Sequence, residues 1–81
     1  MSEIYIGVDD VHWIYDVEDD GRIVILEDSS RWEVSILDRV HVMLWLPTAN
    51  ITVKDGDDPI YPYLLINTDE NETANAKLLS Q

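Results

Sequence analysis

Asp16, Glu18, Asp20, Gly21 and Glu27 stand at positions 1, 3, 5, 6 and 12 of a calcium-binding loop, with apolar Ile23 at position 8. A hard cation wants carboxylate oxygens around a sharp glycine bend, and this spacing offers them, with Glu where position 3 usually carries Asp or Asn. The flanks argue otherwise. An EF-hand loop joins two helices, whereas Val11-His12-Trp13-Ile14-Tyr15 alternates like a strand and Ile23-Val24-Ile25-Leu26 is a β-branched run too short for a helix. In a hairpin, Glu27 points along its strand and cannot return as a bidentate ligand. With 17 acidic residues in the chain such a spacing arises easily, so an acidic hairpin turn outweighs calcium binding through Asp16, Glu18, Asp20 and Glu27.

Other chemistries have less material. Asp9-Asp10 with His12, and the Asp55, Asp57, Asp58 group, each lack a second histidine or a defined ligand set. Cysteine is absent, which removes disulfides, thiolate nucleophiles and sulfur-ligated metals. No G-x-S-x-G elbow occurs, and Gly7, Gly21 and Gly56 are too scattered to cradle a phosphate. The Asn50-Ile51-Thr52 and Asn71-Glu72-Thr73 sequons read as turns. His12 and His41, the only imidazoles, fall opposite the inferred core faces of their strands and read as exposed or half-buried structural residues. The expectation is a non-enzymatic chain with no cofactor.

Recognition chemistry has more. The net charge is −12, with 17 acidic against 5 basic residues, which repels phosphate backbones and anionic lipid and attracts basic proteins. Phe is absent, so three Trp and four Tyr supply the large rings. Trp45, out of phase with Val42 and Leu44, is the candidate exposed anchor, and packing beneath the Pro59–Tyr63 connection is its competing role. Tyr61, Tyr63, Asp19 and Asp20 complete a candidate partner-binding surface. A basic protein is the expected partner, with a second copy of the chain as another; nucleic acid and membrane are not. The alternatives are a DNA mimic, whose carboxylates imitate phosphates, and a calcium-binding domain through Asp16–Glu27.

The elements that must position these residues are short strands. Val11, Trp13, Tyr15 and Val17 share one face by the period of two; Ile23–Leu26 follows the Glu18–Gly21 turn; Trp32, Val34 and Ile36 alternate after Glu27–Ser30. Val40–Leu46 alternates too, and the spans 51–54, 63–67 and 73–78 complete seven strands. The pattern predicts one all-β domain over residues 1–81, with its ordered core at about 9–79: an SH3-like barrel, or else an OB-like barrel or compact sandwich. With 46% hydrophobic residues the chain can build a core, although one of 81 residues buries only ~60% of its unfolded surface. No apolar run approaches the ~20 residues that span a bilayer, and the N-terminus lacks a secretory pattern, so the cytoplasm is the expected location.

Leu26-Glu27-Asp28-Ser29-Ser30-Arg31-Trp32-Glu33-Val34, then Asp38, Trp45-Leu46-Pro47, Ile51-Thr52-Val53 and Leu65-Ile66-Asn67-Thr68-Asp69 with Glu72, resembles a family of short uncharacterised bacterial proteins with an LEDGS-W-EV core and a late LINxDxxE hairpin. The likeness covers roughly residues 11 to 79 and implies a small β-barrel without implying an activity. Ser29 stands where that family tends to have Gly, so this turn either changes type or strains Ser29.

Overall fold

The computed structural model describes residues 4–81. Six antiparallel strands, β1 (Val11–Glu18), β2 (Ile23–Leu26), β3 (Arg31–Val34), β4 (Asn50–Asp55), β5 (Tyr63–Asn67) and β6 (Glu72–Ser80), close into a barrel in the order β1-β2-β3-β6-β5-β4. The all-β small barrel expected from the strand pattern is therefore the fold. Among the described residues no helix is long and apolar enough to cross a membrane.

The short turns follow from residues that tolerate a left-handed backbone. Asp19, Asp20 and Gly21 take positive φ in succession between β1 and β2. Gly21 is irreplaceable for a second reason: a Cβ there would lie 2.3 Å from the Arg39 carbonyl oxygen and 2.7 Å from the Met43 nitrogen. Ser29 adopts φ 71° in the β2–β3 turn, a left-handed conformation that favours glycine and strains a serine.

The interior is filled by Ile14, Val24, Leu26, Trp32, Val34, Ile51, Val53 and Leu65, with Ala74 and Ala76 leaving room for the larger side chains opposite. Trp32 is the central piece, fully buried, with the Tyr5 and Tyr63 rings edge-on to it at 4.8 and 5.3 Å. Such edge-to-face pairs add about 0.5–1.5 kcal/mol each beyond burial.

Two sequence expectations are corrected. The face of β1 is inverted at its start: His12 and Ile14 point inward while Val11, Trp13 and Tyr15 are exposed. A bulge between Ile14 and Asp16 then shifts the phase and brings Val17 against the core. The span 40–46 is no strand. It continues a 3₁₀ turn at Ile36–Asp38 into α1 (Arg39–Val42), and Val42 and Trp45, three residues apart, share the buried side. Ahead of position 9, Tyr5 is only 3% exposed and plugs the interior with its ring edge-on to Trp32 and Tyr63.

Candidate functional site

Beside Tyr5 and Gly7 lies a polar cluster built from β1 and the β2–β3 turn. Because β1 turns His12 inward, its ring meets the side chains of that turn. Nδ1 lies 3.0 and 3.1 Å from the two Glu27 oxygens, and Nε2 lies 2.8 Å from the Gly7 carbonyl oxygen and 3.2 Å from the Tyr5 hydroxyl. The Trp13 amide donates to Glu27 Oε1 at 2.9 Å. Asp28 receives the Tyr5 hydroxyl on Oδ2 and, on Oδ1, the Ser30 hydroxyl and amide at 2.5 and 3.0 Å. Ser30 Oγ in turn accepts the Trp32 indole N–H at 2.9 Å.

The electrostatics follow from these partners. Burial opposes a charge on His12, but the Gly7 carbonyl and the Glu27 carboxylate outweigh it, Asp28 adds to them, and the His12 pKa is raised. With a carboxylate at one nitrogen and a carbonyl at the other, neither able to donate, the imidazolium satisfies both sides of the ring. Burial pushes Asp28 upward, yet bonds from the Ser30 and Tyr5 hydroxyls and the Ser30 amide, with the nearby His12, leave its pKa lowered. Burial and the Asp28 carboxylate raise the Tyr5 hydroxyl beyond the ordinary tyrosine range, so it remains a donor.

A His–carboxylate pair suggests a hydrolase triad, but the geometry opposes one. Nε2 would have to take a proton from a serine, whereas here it faces Gly7 and Tyr5 and Ser30 Oγ is buried between Asp28 and Trp32. What the cluster does hold is three metal-ligand atoms, one each from His12, Glu27 and Asp28, within 4.8 Å of one another.

The calcium spacing does not assemble. Glu27 faces His12, Glu18 pairs with Arg31 at 3.4 Å, Asp16 Oδ1 accepts the Val17 amide at 2.9 Å, and Asp20 is an exposed turn residue.

The expected aromatic anchors are redistributed. Trp45 is 3% exposed, its indole N–H bonded to Glu72 at 2.8 Å, which corrects its assignment as an exposed anchor. Tyr63 packs on the core and its hydroxyl accepts the Tyr5 amide at 3.0 Å. Tyr61 is half-buried, with its hydroxyl 3.3 Å from Glu33 and Lys77 over its ring. Asp19 and Asp20 are exposed at the β1–β2 turn, Asp19 paired with Arg22.

Another aromatic face takes their place. Val11, Trp13 and Tyr15 line the outside of β1, and Tyr15 opens onto a cleft of about 450 Å³ walled by Ile25, Leu26, Glu27, Ser29 and Arg31. The alternation of this row is legible in the sequence; its direction is the reverse of the one expected. A second apolar area runs through Ile36, Leu37, Val40, Leu44 and Leu46. All five basic side chains sit in ion pairs: Arg31 with Glu18, Lys54 with Asp9, and Arg22, Arg39 and Lys77 around Glu33. The remaining carboxylates outnumber their counterions. Asp10 immediately precedes β1, Asp16 lies on it together with the Arg31-paired Glu18, and Glu27 lines the Tyr15 cleft.

The chain has no significant match among protein-family models, curated proteins or solved structures.

Proposed function

We propose that this barrel is a non-enzymatic protein-interaction module whose docking face is the outer row of β1, Val11, Trp13 and Tyr15, together with the Tyr15–Arg31 cleft. The occupant is a protein segment carrying both basic and apolar side chains. One observation carries the proposal: three large apolar side chains stand in line on a strand exposed to water, in a chain of net charge −12 whose own cations are already paired. An exposed apolar row costs solubility and is normally covered by something. Carboxylates along its margin favour a cationic partner and reject an anionic one.

The kinship with short bacterial proteins belongs to the same proposal. The quoted motif coincides with structural roles here: Leu26 in the core, Glu27 on His12, Asp28 on Tyr5 and Ser30, Trp32 at the centre. The DNA-mimic alternative wants two aligned rows of acids. Most acids instead sit in the connections at both ends of the barrel, which lends that reading no support.

Trp13 makes the test direct, because at 48% exposure it is the exposed indole while Trp32 and Trp45 are buried. A synthetic peptide of alternating lysine and leucine should blue-shift Trp13 emission at low salt and shield it from acrylamide. The affinity should fall as salt rises. Tyr15→Ser, which keeps the reporter, should weaken binding about tenfold, as loss of an aromatic anchor does. Equal binding of a glutamate–leucine peptide would refute the proposal, as would a lysine–leucine peptide that leaves Trp13 emission unchanged. Protection that grows with protein concentration alone would identify a second copy of the chain as the occupant instead.

A further inference from the structure

We propose that His12, Glu27 and Asp28 form a binding site for one first-row divalent cation of the zinc type, held by one imidazole and two carboxylates with a further position open to solvent.

The donor set comes first. His12 Nδ1 is 3.0 Å from Glu27 Oε1 and 3.9 Å from Asp28 Oδ2. Ligands bound at ~2.0–2.1 Å in a tetrahedron stand about 3.3 Å apart, so the two observed separations bracket the required one. All three ligand atoms lie within 4.8 Å of one another, and Asp28 Oδ2, which also receives the Tyr5 hydroxyl, must move toward Nδ1 to close the set. Imidazole with carboxylate suits zinc, cobalt or manganese and is a poor match for calcium, which prefers oxygen alone.

The groups around the donors support the same assignment. Metal-bound histidines usually donate the other ring N–H to a carbonyl or carboxylate, which fixes the ring and raises its basicity. Here Nε2 faces the Gly7 carbonyl at 2.8 Å and leaves Nδ1 aimed at the carboxylates. Asp28 Oδ1 is held by Ser30, and Glu27 Oε1 by the Trp13 amide. The Gly7 backbone can approach because it carries no side chain; a Cβ there would lie 2.5 Å from the Tyr5 hydroxyl and 2.8 Å from His12 Nε2.

Access and charge agree. The His12 side chain is 7% exposed, Glu27 19% and Asp28 32%, so the ligands rise from a buried base to a solvent-facing rim. Two carboxylates beside one imidazole concentrate negative charge where a dication would sit, and the dication neutralises it.

The test uses the full chain and Co²⁺ or Zn²⁺ alone. Co²⁺ should bind with a stoichiometry of one and develop visible d–d absorption of the intensity that four-coordinate cobalt shows, and Zn²⁺ should displace it. Glu27→Gln keeps the oxygen that receives the Trp13 amide, so it should stay folded by circular dichroism while losing about 100-fold or more in Co²⁺ affinity. His12→Gln should lose the absorption altogether. Asp16→Asn with Asp20→Asn, two acids outside the cluster, should leave both stoichiometry and affinity unchanged. No cobalt spectrum at ~1 mM metal would overturn the assignment. So would Co²⁺ affinity unaltered in a folded Glu27→Gln variant, or many equal weak sites lost with Asp16 and Asp20. Each of these readouts is independent of peptide docking on Trp13.

Discussion

Gly21→Ala probes the joint between the β1–β2 turn and α1. Gly21 has φ +89°, a region where alanine costs about 1 kcal/mol, and no rotamer relieves it. The new methyl would meet the Arg39 oxygen at 2.3 Å, and ordinary contact begins near ~3.4 Å, so one backbone must retreat by about 1 Å. The retreating piece is the turn after β1 or α1 itself, and α1 seats Val42 and leads to Trp45, both in the core. A shift of that size in close-packed surroundings forfeits a further 2–3 kcal/mol, for a total of about 3–4 kcal/mol. In a domain this small each kcal/mol moves Tm by roughly 4–8 °C, so Tm should fall by at least ~12 °C. Gly56→Ala is the control, since its Cβ meets nothing closer than 3.4 Å and its φ is not in the left-handed region. It should change stability by less than about 0.5 kcal/mol. Urea melts followed by far-ultraviolet circular dichroism measure both. A Gly21→Ala loss below about 1 kcal/mol would refute the reasoning, because it would mean that the turn and α1 are not pressed together.

Other perturbations address the polar cluster and the core. Tyr5→Phe removes the donor to Asp28 and should cost about 1.5–3 kcal/mol in urea unfolding, more than a neutral surface hydrogen bond would. Trp32→Ala should cost about 3–5 kcal/mol, a large share of the stability of so small a barrel, and a calorimetric trace with little or no cooperative transition is the expected record. The pH dependence has a definite sign. His12 has a folded pKa above its unfolded ~6.5, so in metal-free protein its stabilisation is complete below pH ~6.5 and is lost as pH rises through the folded value. Asp28, lowered from the ordinary carboxylate value, contributes above pH ~4 and its contribution is lost as pH falls through the folded pKa. Urea midpoints should therefore decline on both sides, and His12→Gln should flatten the alkaline limb alone; an unchanged alkaline limb would contradict a charged His12.

The strands that sequence alone made legible are those whose chemistry is one-sided. Ile23–Leu26, Trp32/Val34, Ile51/Val53 and the 63–67 run are legible because β-branched and apolar residues recur at the strand period with turn residues between them. In β1 the period was visible and the phase was not. Its outer positions carry Val, Trp and Tyr, while an inner position carries His12, a choice intelligible only once Glu27 and Asp28 are brought across from the next turn. The span 40–46 failed for a related reason. Val40, Val42, Leu44 and Leu46 alternate, yet burial selects Val42 and Trp45, and a four-residue helix is too short to print its own period. The Tyr5 plug had no local signal, because its partners Asp28, Trp32 and Tyr63 are distant in sequence. Glu27, one member of the calcium spacing, meets His12 in the fold instead of Asp16, Glu18 or Asp20.

Closure of the sheet also bears on how this chain fails. Ile23-Val24-Ile25-Leu26 is the sort of uncharged, β-branched tetrad that stacks with its own kind when left bare. In the barrel β1 flanks it on one side and β3 on the other, leaving it no spare backbone to offer. Asp19-Asp20 before it and Glu27-Asp28 after it serve as gatekeepers, setting like charges beside each copy of the tetrad whenever the chain opens. Replacing Asp19 and Asp20 with Asn, which tolerates their left-handed backbone, should thus leave the native barrel soluble and make its unfolded form precipitate more readily.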